Sequence, residues 1–196
     1  MKRDLRGLAL LLAMMLAAAG VAVAEQRQPG GRGDGARALL EQGIAWLEGE
    51  DAEANYEKAM ACFVEATEAG DRKAPRYIGL MYEQGLGVEA DAGVAAEYYA
   101  MGVERGDLTS AYYLALLYEQ GLSVEQDYGR AVELLESLAA SENKSATGVL
   151  DAEYELATLY ERGVGVAQDA ERALSLYRDA AQYGHEAAAE ALERLE

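Results

Sequence analysis

The chain has 196 residues, enough for one domain and a short targeting segment. Its 17 Lys+Arg stand against 35 Asp+Glu, for a formal net charge of −18. That balance argues against nucleic acid and anionic membrane surfaces, which recruit basic side chains. The one cysteine, Cys62, excludes an internal disulfide framework, and the two prolines leave long stretches free to be helical.

Residues 1–24 have the pattern of a secretory signal peptide. Lys2, Arg3 and Arg6 form the positive start, Leu8–Val21 is almost all Leu, Ala and Met, and Ala22-Val23-Ala24 is a small-x-small site. The apolar run falls short of the ~20 residues that a spanning helix needs. Cleavage after Ala24 is expected, which leaves a more acidic chain that is exported to the periplasm and has no membrane association. An uncleaved signal anchor is the other reading of this segment. Residues 25–35 are Gly-rich and polar, and they read as a flexible leader.

Beyond the leader one stretch recurs. It reads Tyr82-Glu83-Gln84-Gly85-Leu86-Gly87-Val88, then Tyr118-Glu119-Gln120-Gly121-Leu122-Ser123-Val124, then Tyr160-Glu161-Arg162-Gly163-Val164-Gly165-Val166. An aspartate follows each copy (Asp91, Asp127, Asp169), and four residues later an alanine (Ala95, Ala131, Ala173). A degenerate first copy uses Trp46, Gly49, Asn55 and Ala59. A period of a few tens of residues is the mark of a solenoid. Four repeats result, at about 36–71, 72–107, 108–150 and 151–184. Residues 185–196 form a C-terminal capping helix. The third repeat is longer, and its insertion is placed at 141–149.

Each repeat predicts two helices. In the fourth, Ala152, Leu156, Leu159 and Tyr160 share one helical face, and Gly163 ends the helix in a left-handed conformation. Val166 plugs the loop, and Asp169 caps the next helix. That helix buries Ala173, Leu176, Tyr177, Ala180 and Ala181. Small residues recur at one place in the first helices (Gly43, Gly79, Ala115, Ala157) and one in the second (Ala59, Ala95, Ala131, Ala173). Small side chains there let two helices cross closely. Asp107, just after Gly106, is placed as a further cap.

Candidate chemistry is weak. A chain with the single histidine His185 cannot build a His-based metal centre, and none is expected. Cys62 reads as a buried, inert thiol. Gly85-x-Gly87 and Gly163-x-Gly165 follow helices, not strands, so they lack the setting of a dinucleotide loop. No catalytic residue, metal or cofactor is assigned.

The pattern Ile78, Gly79, Tyr82, Gly85, Gly87, Val88, Asp91, Ala95, Tyr98, Tyr99, Gly106 resembles the Sel-1-like repeat family, relatives of the tetratricopeptide repeats. The fourth repeat matches through Leu156, Ala157, Tyr160, Gly163, Gly165, Val166, Asp169, Ala173, Tyr177 and Gly184. The third departs at Ser123, and the first has Glu50–Ala54 in place of the loop. The resemblance implies an all-α fold, a right-handed alpha-alpha superhelix (solenoid) of about four helix-turn-helix repeats with a C-terminal capping helix. It also implies a protein-interaction role, as an adaptor or regulator in a cell-envelope process. In such superhelices the first helices line the concave face. The partner-facing positions are then Arg76, Leu80 and Glu83; Tyr112, Leu116 and Glu119; and Tyr154, Thr158, Glu161 and Arg162. Tyr112 and Tyr154 offer the largest contact area, with packing against the neighbouring repeat as the alternative. Glu83, Glu119 and Glu161 form an acidic row that suits a basic or amide-rich peptide. Two other readings are a cell-wall-directed hydrolase and a self-associating structural protein.

Overall fold

A computed structural model describes residues 32–49, 55–121, 126–144 and 148–195. The signal-peptide segment, Glu50–Ala54, Leu122, Ser123, Val124 and part of the third repeat's insertion (145–147) lie outside the described residues. All regular elements described are helices: α1 (Arg32–Glu48), α2 (Tyr56–Glu68), α3 (Ala74–Gln84), α4 (Ala92–Glu104), α5 (Leu108–Gln120), α6 (Tyr128–Ala139), α7 (Val149–Arg162), α8 (Ala170–Gln182) and α9 (Glu186–Leu195). Helix α1 starts at Arg32, inside the stretch expected to be a flexible leader. Asp34 lies in its first turn, favourably placed for the helix dipole, and Ala36 and Leu40 are already buried. The chain divides into two compact units, one through Tyr98 and one from Tyr99.

In the first unit α1 packs on α2 and α2 on α3. Ala59, Met60, Phe63, Ala74, Ile78 and Met81 form its buried centre. Gly43 is needed for this approach, because a Cβ there would stand 2.5 Å from the Phe63 ring. The Phe63 ring stacks on Tyr77, with centroids 4.9 Å apart.

In the second unit α5 packs on α6, α6 on α7, α7 on α8 and α8 on α9, with a further contact between α5 and α7. Ala115, Ala131, Leu135, Leu138, Ala152, Leu156, Ala157, Ala173, Tyr177 and Ala180 are its core. Ala115, Ala131, Ala157 and Ala173 are fully buried, as the small-residue positions require. Tyr99 stacks on Tyr113.

The recurrent stretch is the hinge of each pair. Gly85, Gly121 and Gly163 end their helices at φ 69°, 64° and 65°. The caps follow: Asn55, Asp91, Asp127 and Asp169 accept from Lys58, Val94, Arg130 and Arg172 backbone N–H groups at 2.9–3.0 Å. A bond that no side chain signals closes each hinge. The backbone N–H of the cap residue donates to the carbonyl of the hinge aromatic: Asn55 to Trp46, Asp91 to Tyr82, Asp127 to Tyr118 and Asp169 to Tyr160, at 2.8–3.0 Å. It satisfies a carbonyl that the helix end would otherwise leave open.

The second glycine of the loop has a different task. Gly165 adopts φ 72°, and a Cβ there would stand 2.6 Å from the Tyr128 Cβ and 2.9 Å from its backbone. Gly87 meets Tyr56 in the same way in the first unit. The loop thus presses bare backbone against the start of the preceding repeat's second helix, which only glycine allows.

Candidate partner-binding surface

The expected partner-facing positions fall into the two units. In the first, Arg76, Leu80 and Glu83 are half-buried on α3. The Arg76 guanidinium lies over the Tyr77 ring, 4.9 Å from its centroid. In the second, Tyr112, Leu116 and Glu119 are half-buried on α5, and Tyr154, Thr158 and Glu161 are half-buried on α7. Arg162 is exposed at the end of α7.

Both tyrosines are held by the following element. Gly148, at the entry of α7, lies against Tyr112, whose Cβ would be 3.5 Å from a Cβ on that glycine. The Tyr154 ring stacks on His185, at the entry of α9, with centroids 5.0 Å apart, and it also meets Tyr177 at 5.7 Å. The following element thus meets Tyr112 at the base of its side chain and Tyr154 at its ring, and both residues remain half-buried. Burial, with Glu155 second, pushes the Tyr112 hydroxyl up to about 12.

The two glutamates of the row that lie in the second unit differ. Glu161 is saturated: Arg194 of α9 donates two hydrogen bonds to its carboxylate, at 2.8 and 2.9 Å, and the Tyr177 hydroxyl donates a third at 2.8 Å. The Arg194 hydrogen bonds come first among the causes that hold Glu161 below the usual carboxylate range. Glu119 has one buried oxygen, Oε1, that accepts no hydrogen bond among the described residues. Burial, and then the charge of Glu155, push its carboxyl up to about 7, with Arg162 opposing. The Thr158 hydroxyl folds back on its own helix, donating to the Glu155 carbonyl at 2.8 Å.

Of two further polar features, the first has no signal in the repeat pattern and the second recurs in repeats three and four. Glu153 on α7 is only 1% exposed. The insertion of the third repeat brings Lys144 to it: Nζ pairs with the Glu153 carboxylate and donates to the Ala139 carbonyl at 3.2 Å. The extra residues of that repeat thus deliver a countercharge to a buried acid, which cannot stay charged in the core alone. Gln126 and Gln168, just ahead of their cap aspartates, donate to the carbonyls of Glu119 and Glu161 at 2.7 and 2.8 Å.

The catalytic candidates have structural tasks. His185 precedes α9 and caps it, its Nδ1 accepting from the Ala188 N–H at 3.2 Å, while Nε2 faces Asp151 at 3.4 Å. Both ring nitrogens are engaged. Cys62 is buried, which pushes its thiol up to about 11. Among the described residues no group of three or more His, Cys, Asp and Glu could hold a metal ion, and no helix is long and apolar enough to cross a membrane.

The Sel1 repeat model matches residues 36–71, 76–107, 109–143 and 150–185. The chain therefore belongs to the Sel1 repeat family, an all-α helical-repeat class whose members are protein–protein interaction modules and typically non-catalytic. Among solved structures it is similar to c5321, described as a protective antigen of uropathogenic Escherichia coli with the same repeat fold. The TM-score is 0.71 at 26% identity, over 81% of this chain and 33% of that one. It is also similar to a Sel1 repeat protein from Oxalobacter formigenes, with a TM-score of 0.70 at 26% identity, over 84% of this chain and 47% of that one. The chain thus spans a third to a half of these relatives' lengths. No curated protein matches the sequence.

Proposed function

We propose that this protein is an exported, non-catalytic interaction module of the cell envelope, and that its first helices present a binding row to a basic segment of another protein. One observation carries the reading. At Glu161 the chain supplies its own ligand, a guanidinium from Arg194 clamped by two hydrogen bonds. Glu119 occupies the same place in the preceding repeat and, among the described residues, meets no such donor. Its Oε1 is closed off, so a partner's arginine or lysine would meet the part of this half-buried carboxyl that is still open, once it is ionised. Leu116 and the outer edge of Tyr112 add apolar contact beside it, and Arg162 limits how much cation can gather there. The excess of acids over bases in the whole chain steers basic partners toward it.

Site-specific photocrosslinking in the intact envelope tests this. Crosslinkers at Leu116 and Arg162 should capture one partner through a Lys- or Arg-bearing segment. A crosslinker at the exposed Glu133 of α6 should not. Equal capture from both positions, or a captured segment without basic residues, would remove the assignment. A mature N-terminus at Met1 in place of Glu25 would remove export with signal cleavage.

A further inference from the structure

Glu119 stands in the last turn of α5, where that helix meets α7. Its Oε1 is closed off from solvent and accepts no hydrogen bond among the described residues. Two charged groups bear on it, one of each sign, and burial outweighs both. From α7, Glu155 bears on it as a like charge and Arg162 as an opposite one. Asp151 of α7 in turn bears on Glu155, and His185, at the entry of α9, eases that crowding. From α5 itself, Tyr112 shares the space with Glu119, Glu155 and Asp151. Among the described residues the side toward α6 supplies no donor to the carboxylate: Gln126 donates to the Glu119 main-chain carbonyl, Arg130 to the Tyr118 hydroxyl, and Glu136 accepts from Tyr160. Tyr99, at the α4 side, stacks on Tyr113.

A carboxylate in such a place pays twice, once for desolvation and once for the repulsion of Glu155. Retaining its proton removes the repulsion and the part of the desolvation that belongs to the charge. We propose that Glu119 is a proton-operated joint between repeats three and four: protonated, it lets α5 and α7 close on each other, and loss of the proton loosens that contact. The joint needs no partner, and a cation bound at the same carboxyl would favour its ionised, loosened state.

The direction follows from linkage. Burial and Glu155 raise the folded-state value to about 7, whereas an unfolded glutamate titrates at about 4.3. The folded chain therefore holds this proton more tightly. The stabilisation is complete below the unfolded value and is lost as pH rises through about 7. Glu155 is shifted the same way, first by burial and then by Asp151, so it deepens the effect.

Amide hydrogen exchange across α5 and α7, on the mature chain at pH 5.5 and pH 8 with intrinsic rates corrected, tests the joint. Glu119→Gln keeps the shape and stays neutral. At pH 8 it should slow exchange in these two helices by about tenfold or more relative to the natural protein, since one pKa unit alone is tenfold. At pH 5.5, already above the unfolded value, a smaller slowing should remain. Glu133→Gln, which removes an exposed charge from α6, should leave the pH dependence intact. Identical pH dependence in the natural protein and Glu119→Gln, or the same slowing in Glu133→Gln, would overturn the proposal. Should Glu119→Gln fail to fold, carboxyl-carbon NMR of the natural protein decides. A Glu119 midpoint in the ordinary glutamate range would overturn the joint, and one near 7 would support it.

Discussion

Glu119 and Glu161 hold one register position in consecutive repeats, and their surroundings are opposite. Each follows the hinge tyrosine, and each has its main-chain carbonyl closed by a glutamine side chain seven residues on. Beyond that the neighbours decide. Helix α9 lays Arg194 on Glu161, and α8 adds the Tyr177 hydroxyl. Helix α7 offers Glu119 another carboxylate, Glu155. The repeat therefore fixes where a side chain stands, and the next element along the stack fixes its chemistry.

This division can be broken at several points, and the effects should differ in size. The largest belongs to a neighbour's charge removed from a buried acid. Lys144→Met strands Glu153 in the core, and chemical denaturation should show a loss of about 3 kcal/mol or more. A loss within experimental error would mean that the insertion does not neutralise Glu153. Next comes a register element. Asp169→Ala removes the cap of α8 and should lower stability by about 1 kcal/mol, with the α7–α8 hinge exchanging faster. The smallest effect is Arg194→Ala on the exposed face. It should return the Glu161 carboxyl toward the ordinary range and speed exchange in α9, while α5 keeps its protection. The contact has the opposite pH sense to the α5–α7 joint: Glu161 is held low, so its stabilisation is present above the unfolded value and fades as pH falls through the folded one.

The periodic part of the molecule is legible in the amino-acid order alone. Tyrosine, glycine, aspartate and alanine in fixed register specify four helix pairs, the left-handed stops at Gly85, Gly121 and Gly163, the caps, and the buried small residues at the crossings. What the pattern leaves unsaid is of two kinds. Some of it repeats but is carried by the main chain, such as the bond from Asp127 N–H to the Tyr118 carbonyl, which no side chain advertises. The rest occurs once. Lys144 with Glu153 and Arg194 with Glu161 join elements through a cation that has no counterpart in the other repeats, and His185 takes the capping place of Asp71 and Asp107 with a different residue type. Periodicity carries no signal for them. The start of α1 is obscured for a similar reason: Gly33 and Gly35 read as leader, yet a Cβ at either would meet nothing within 4 Å, and the turn is anchored by Ala36. The row proposed to meet a partner follows from register, but its residues are not equivalent. Tyr154 and Glu161 are largely engaged inside the unit, whereas Leu116 is half-buried and Arg162 exposed.

Carboxyl-carbon NMR of the mature protein, with Glu119 and Glu161 assigned and followed from pH 3 to pH 9, compares the two sites in one sample. The account predicts that Glu119 titrates near pH 7 and Glu161 below the usual glutamate range. Coincident midpoints for the two groups would contradict it.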